Sequence, residues 1–217
     1  MLSLLRALPG SVAQGLIWGI MAIGVYITYK LLDYADLTVD GSICTGAAVA
    51  VMLMLNGINP WIALLAAFGV GMLAGLATGV FHTVLGIPPI LSGILSQLAL
   101  YSVNMRILGK SNQAISVDQY PLLVSLRNVP HTIWVSILFC AAIILVLYWF
   151  FGTEKGCSLR ATGANPNMAR AQGINTNANV VLGLMVSNGL VALSGGLLAQ
   201  FQGSSDINMG RGAIVIG

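Results

Sequence analysis

Two carboxylates four residues apart, Asp36 and Asp40, stand at the edge of an apolar run in a chain with only six acidic residues. Where such a run crosses a membrane, an ionisable group beside it is a functional candidate, because burying its charge is costly. Thr38, Gly41 and Ser42 share that short stretch. Ser92, Gln97 and Asn104 dot a later apolar run, and Ser187, Asn188 and Gln200 dot the last one. Groups of this kind line a polar pathway or bond across helices, a contact worth roughly 1 kcal/mol. Asp40 could equally cap a helix starting at Gly41, and Asp36 could sit among lipid headgroups. His82 and His131 are isolated, with no second ligand at metal spacing, so no metal site is expected. There is no Ser/His/Asp arrangement, no catalytic carboxylate pair and no GxxxxGK[ST] phosphate loop. The expectation is a chain that is no enzyme and draws its energy from elsewhere.

The elements that must position these groups follow from composition. Hydrophobic residues make up 57% of the 217 and charged residues 7%, with a mean hydropathy of +0.90. Soluble domains carry roughly 25% charged residues, so this surface suits a lipid bilayer. A transmembrane barrel would show alternating segments of about 10 residues, whereas the apolar runs here approach 20. The expected class is an all-α polytopic membrane protein. About 20 apolar residues cross a hydrocarbon core of roughly 30 Å, and about six spans are expected: 12–29, 41–58, 61–81, 90–105, 132–151 and 180–201. The net charge of +3 is scattered, so nucleic acid is not an expected partner. Cys44, Cys140 and Cys157 have no CxxC spacing and fit small membrane-embedded hydrophobes. Arg6 precedes an uncharged run, but no soluble domain follows for a cleaved signal to export.

Gly86-Ile87-Pro88-Pro89 cannot continue a regular helix. Either two separate spans flank it, or it is a broken, re-entrant element lining a polar cavity; the broken element is expected. Gly71, Gly75 and Gly79 recur every four residues, as do Gly15 and Gly19, the spacing of close helix packing. Orientation is undetermined by charge. The loop 106–131 carries Arg106, Lys110 and Arg127, and the loop 152–179 carries Lys155, Arg160 and Arg170, a tie under the positive-inside rule.

The loop from Glu154 to Ile174 is the most informative. Asn165 suits a helix N-cap, Pro166 the first helical position, and Gly173 the C-terminal stop. The helix between them, of about seven residues and roughly 10 Å, is marginal alone and needs something to pack against. This stretch resembles the cytoplasmic coupling helix of permeases in the branched-chain amino acid/ribose class of ATP-binding-cassette (ABC) importers. Their loop reads like Leu159-Arg160-Ala161-Thr162-Gly163-x-Asn165-Pro166, with a short helix ending near Gly173-Ile174. Asp36-Leu37-Thr38-Val39-Asp40-Gly41-Ser42 is similar to the acidic-Leu-Ser/Thr-x-acidic-Gly-Ser element of that class. Residues 184–200 supply a third match, in family order. The likeness is greatest to the tryptophan/tyrosine-type permeases.

The resemblance implies a bacterial inner-membrane permease subunit that forms the pathway for a small solute, an amino acid, with aromatic ones among the candidates. It implies a cytoplasmic ATPase partner that uses ATP and magnesium, a second permease copy (a homodimer is expected) and an extracytoplasmic substrate-binding protein, all around a lipid bilayer. It places 152–179 inside the cell. The ATPase-coupling residues would be Glu154, Lys155, Gly156, Leu159, Arg160, Ala161, Gly163, Asn165, Pro166, Ala169, Arg170, Gly173 and Ile174. Where the family's loop often has an acidic residue, this one has Ala164, which removes one salt bridge to the ATPase. Pathway candidates are Asp36, Thr38, Asp40, Gly41, Ser42, Ser92, Gln97, Asn104, Ser187, Asn188 and Gln200. The alternative is an ion-coupled secondary transporter using Asp36 and Asp40. Residues 212–217 look like the first turns of a further helix, so residues 1–217 are expected to be a single transmembrane domain truncated at its C-terminal end. Intact-mass measurement of the native product should give a mass above that of 217 residues; a mass equal to it would remove the expectation.

Overall fold

Ten helical or strand elements and one π-helical turn follow from these runs in a computed structural model that describes residues 2–115, 122–125 and 129–212. Helix α1 (Leu2–Tyr26) passes into a π-helical turn (Ile27–Leu31), and α2 (Val39–Leu55), α3 (Pro60–Thr83) and α4 (Pro89–Leu108) follow. After strand β1 (Asn112–Ala114) come α5 (Val129–Gly152), α6 (Glu154–Ala164), α7 (Pro166–Ala171), α8 (Thr176–Gln202) and β2 (Ser204–Asp206), which pairs antiparallel with β1. Arg127 and residues 213–217, which entered the charge count and the truncation expectation, lie outside the described residues.

Each of the six expected spans coincides with a helix. Among the described residues, four are long and apolar enough to cross a membrane: Leu8–Leu31, α3, α5 and α8. Helix α2 is apolar but has 17 residues, and α4 is not among the four. The protein is therefore a polytopic all-α membrane protein.

Helix α8 is the axis of the fold. Of its most apolar stretch, 72% is buried inside the protein, against 6% for α5. The small residues explain how three helices crowd onto one. A Cβ on Gly71 would meet Ala192 and the Asn188 carbonyl, one on Gly75 the Leu184 carbonyl, and one on Gly79 Val181. Helix α3 thus runs antiparallel to α8 at backbone distance, as its glycine spacing indicates. Gly24 of α1 lies against Ser187 and Val191, while Ala13 and Ile17 cluster with Leu197 and Phe201, so α1 is antiparallel too. Helix α2 runs parallel, with Ser42 beside Asn188, Gly46 beside Ala192 and Ala50 beside Gly196. The second glycine stripe behaves differently: Gly15 and Gly19 meet nothing within 4 Å, and Gly15 is exposed.

Helix α5 packs on α1, where the Cys140 thiol donates to the Leu16 carbonyl at 3.4 Å. Most of its surface is open. Trp134 near one end and Tyr148 and Trp149 near the other are more than 70% exposed, the distribution of residues that anchor a helix at two membrane interfaces.

The Gly86–Pro89 reading needs correcting. Helix α3 ends at Thr83 and α4 starts at Pro89 as two separate antiparallel helices, joined by a tight turn in which Gly86 takes φ +69°. The prolines fit because Pro88 is the N-cap and Pro89 the first helical residue. The break at membrane depth lies elsewhere, between the π-helical turn and α2.

Candidate functional site: a buried polar core at a helix break and a capped helical loop

Asn188 is near the midpoint of the 27-residue α8, ~20 Å from either end at 1.5 Å per residue. Its side-chain Nδ2 donates to Asp36 Oδ2 at 2.6 Å, and its Oδ1 accepts from the Ser42 hydroxyl. Asp36, 3% exposed, is thus held beside the middle of a membrane-crossing helix by non-helical chain. Backbone of that kind survives at such depth only where protein or water satisfies it. Here Leu32 N–H donates to Ile27 O at 3.2 Å, Tyr34 N–H to Thr28 O at 3.0 Å, and Thr38 N–H to Asp36 Oδ1 at 2.9 Å. Each Asp36 oxygen therefore faces an N–H donor. Asp33 takes φ +53° to turn the chain back, a left-handed conformation that Asp tolerates better than most residues. The π-helical turn before it is a rare form, found often at functional sites.

The pathway candidates separate into three groups. Thr38, Thr78 and Ser96 form a hydroxyl chain, at 2.8 Å and 2.7 Å, that ties the break to α3 and α4. Ser92 bonds the Tyr34 hydroxyl at 2.6 Å, Ser187 donates to the Gly24 carbonyl at 2.7 Å, and Gln200 Oε1 accepts from Leu123 N–H at 3.2 Å. With Ser42 and Asn188, these are buried in the protein interior. Asp36 borders a cavity of about 590 Å³ alongside Lys30 and Tyr26. Asp40, Gly41, Gln97 and Asn104 share another, of about 440 Å³. Asp40 is not the α2 cap. That position is Thr38, and Asp40 lies in the first turn, where a negative charge suits the helix dipole.

Arg211 joins Asp40 at that second cavity; sequence reading did not single it out. The chain after α8 turns back along α2. Ile207 O accepts from the Cys44 thiol at 3.1 Å, Gly210 N–H meets Cys44 Sγ at 3.2 Å, and Gly212 N–H donates to Asp40 Oδ2 at 3.2 Å. The signal available in the sequence was a lone basic residue between two glycines, Gly210 and Gly212.

At the opposite end of α8, the loop 154–174 is more helical than its polarity suggests. Helix α6 starts at the N-cap Thr153, whose hydroxyl accepts from Gly156 N–H at 3.4 Å, with Glu154 in the first turn. Helix α7 is the short helix read from Asn165 and Pro166: Asn165 Oδ1 accepts from Met168 N–H at 3.0 Å, and Gly173 takes φ +78° after the last turn. Gly156, Leu159 and Ala169 are buried and anchor the loop. Gly163 and Ile174 are half-buried, and a Cβ at Gly163 would strike the Leu31 carbonyl. Glu154, Lys155, Arg160, Ala161, Asn165, Pro166, Arg170 and Gly173 are exposed. Two of these also serve the loop itself: the Arg160 guanidinium donates to the Phe151 carbonyl, and Arg170 Nε donates to Thr176 Oγ1 at 2.9 Å.

The chain is similar to known proteins over most of its length. A family model described as branched-chain amino acid transport system / permease component matches residues 8–217. A tyrosine transport system permease protein of Clostridioides difficile is 46% identical over 204 residues, 94% of this chain and 68% of that protein. An uncharacterized protein of Rickettsia prowazekii is 36% identical over 94% of this chain and 71% of its own length. The autoinducer 2 import system permease protein of Yersinia pestis is 33% identical over 89% and 54%. No solved structure matches the chain.

Proposed function

From the premise that this chain belongs to the family of permease components of branched-chain amino acid transport systems, we propose that it forms the membrane pathway of an ABC importer for an amino acid, with aromatic amino acids the leading candidates. The chain is a multi-pass membrane transport subunit and not an enzyme. The tyrosine permease among its relatives supports the amino acid reading.

One observation carries the coupling role. Helix α7 projects from the end of the bundle with its N-terminus capped by Asn165 and Met168 64% exposed at its surface, while α6 ties it to the π-helical turn and α8. A movement imposed on α7 would pass through Gly163 to Leu31 and Leu32, and so to the break that holds Asp36. Closure of a nucleotide-binding partner could thereby reach the middle of the membrane. In this reading 152–179 is cytoplasmic, the ATPase partner consumes ATP with magnesium, a second copy completes the pathway, and a binding protein docks on the far face of the bacterial inner membrane.

The test is affinity capture of the full-length permease from membranes. Wild type should bring down a nucleotide-binding ATPase, and Met168→Glu should recover at least tenfold less at equal permease yield. Met168 is the preferred site because it leaves the fold alone, whereas Gly163 and Arg160 contact the permease itself. Recovery of no ATPase with wild type from well-preserved membranes would remove the importer reading. Uptake that survives ATP depletion but collapses with the ion gradient would favour a secondary transporter built on Asp36 and Asp40.

A further inference from the structure

Helix α5 ends where α6 begins, and two hollows meet at that junction. The first, of about 790 Å³, is lined by Tyr148, Trp149, Phe151, Thr153 and Arg160. Tyr148 is 84% exposed and Trp149 71%, an amphipathic aromatic pair of the kind that sits at headgroup level. Arg160 reaches the hollow from α6 and is held in place. Its Nη2 donates to the Phe151 carbonyl and lies 3.8 Å from Cys157 Sγ, and its guanidinium carbon is 6.0 Å from the centre of the Phe151 ring. Nε and Nη1 make no hydrogen bond among the described residues, and no carboxylate there pairs with the guanidinium. Glu154, in the first turn of the same helix, does not line the hollow. A fixed cation with donors to spare therefore stands at the interface.

The second hollow is an apolar groove of about 340 Å³ between α3, α5 and α8, and Trp149 lines both. Its walls include Phe68, Val146, Phe150, Val186 and Leu190. It follows α5 back from Phe150 to Ala142. From Ala142 to Gly152, the end of α5, is ~15 Å at 1.5 Å per residue, the depth of one leaflet of a hydrocarbon core roughly 30 Å thick. Leu65 on its rim is 69% exposed, and only 6% of the most apolar stretch of α5 is buried inside the protein, so the groove opens to lipid. One occupant fits both hollows if it carries a negative group at the interface and an apolar chain running inward from it. A soluble anion fills only the first, and a neutral hydrophobe only the second.

We infer that the α5–α6 junction is a binding site for an anionic phospholipid, with the phosphate toward Arg160, the glycerol region along Tyr148 and Trp149, and an acyl chain in the groove toward Leu190. The guanidinium fork matches phosphate oxygens, and its bond to the Phe151 carbonyl fixes it before the lipid arrives. A zwitterionic lipid brings the same phosphate with a cation attached, so the net charge of the headgroup decides the preference. Through α6 the same lipid steadies the loop that carries α7. The inference needs only a lipid-facing α5 and holds whichever side of the membrane carries the loop.

The probes are phosphatidylglycerol and phosphatidylcholine with brominated acyl chains, each titrated into phosphatidylcholine nanodiscs that hold the purified full-length transporter complex. Bromine quenches nearby tryptophan, and the difference between wild type and Trp149→Phe isolates the Trp149 signal. Brominated phosphatidylglycerol should quench that signal at about fivefold lower mole fraction than brominated phosphatidylcholine, the size expected for one basic residue at an anionic surface. In Arg160→Gln the two lipids should quench alike, with quenching itself retained because the groove is intact. Arg160→Lys, which keeps the charge, should keep the preference. Added inorganic phosphate should leave the wild-type preference in place. An unquenched Trp149 would mean that protein covers the groove and would overturn the inference. Equal quenching by both lipids in wild type, a preference that persists in Arg160→Gln, or its loss to inorganic phosphate would each do the same. The comparison of lipids in wild type holds even if the Arg160 variants fail to fold.

Discussion

Replacing Gly46 by valine should leave less than a tenth of the wild-type amount of monodisperse permease in detergent extracts. A Cβ at this position would fall on the carbonyl group of Ala192 in α8. The obstacle is helix backbone, so no side-chain rotation relieves it. Helix α8 cannot retreat either, because its other sides are pressed by Gly71 and Gly75 of α3 and Gly24 of α1 at similar range. Overpacking costs about 1–3 kcal/mol where neighbours can yield, and more where they cannot, against a total stability of roughly 5–15 kcal/mol. Gly15→Val is the matched control. The same side chain is added in an apolar helix, but nothing lies within 4 Å, so this variant should accumulate like wild type. The readout is the monodisperse fraction in fluorescence-detected size exclusion. A normal peak for Gly46→Val would mean that α2 and α8 are farther apart than described.

The membrane class and the six helical runs were legible because hydrocarbon demands long uninterrupted apolar segments, and composition records that demand directly. The Asn165 cap, Pro166 and the Gly173 stop were legible for a different reason: each is a local rule involving three or four neighbouring residues. Helix α6 was hidden. Glu154-Lys155-Gly156-Cys157-Ser158 has no apolar periodicity, and the helix persists because Gly156, Leu159 and Gly163 pack on α5, α8 and the π-helical turn. The break was hidden for the same kind of reason. A run ending near Tyr29-Lys30 looks like an ordinary exit to the headgroups, and only the distant Asn188 shows that the chain stays at depth. Gly86-Ile87-Pro88-Pro89 drew the break to itself because a tight turn and a broken helix use the same residues. The glycine repeats show the limit from the other side, since identical spacing buries Gly71 and Gly75 and leaves Gly15 open.

A substitution at Asn188 should be rescued by a second one at Asp36, and that rescue measures what the break holds. In Asn188→Leu, Asp36 Oδ2 loses its donor at 2.6 Å, and the carboxyl group keeps its bonds to Thr38. Leaving a buried carboxyl oxygen without its donor in this way costs about 1–3 kcal/mol, and more for a charged group, enough to remove much of the folded protein. In Asp36→Leu the stranded groups are neutral: Thr38 N–H loses its acceptor, and Asn188 Nδ2 keeps its bond to the Leu184 carbonyl at 3.1 Å. An unsatisfied buried donor costs about 1–3 kcal/mol, so Asp36→Leu should be the milder change. The double variant Asp36→Leu/Asn188→Leu removes both members and should melt above Asn188→Leu alone by several degrees. Additive losses in the double variant would mean that the two residues stabilise the fold independently. Transport should fall in all three variants, including the rescued one, because an apolar pair restores packing and leaves no polar link between the π-helical turn, α2 and α8. A double variant that regained stability and transport together would reduce Asp36 to a packing residue, and the route from α7 to mid-membrane would have to run elsewhere.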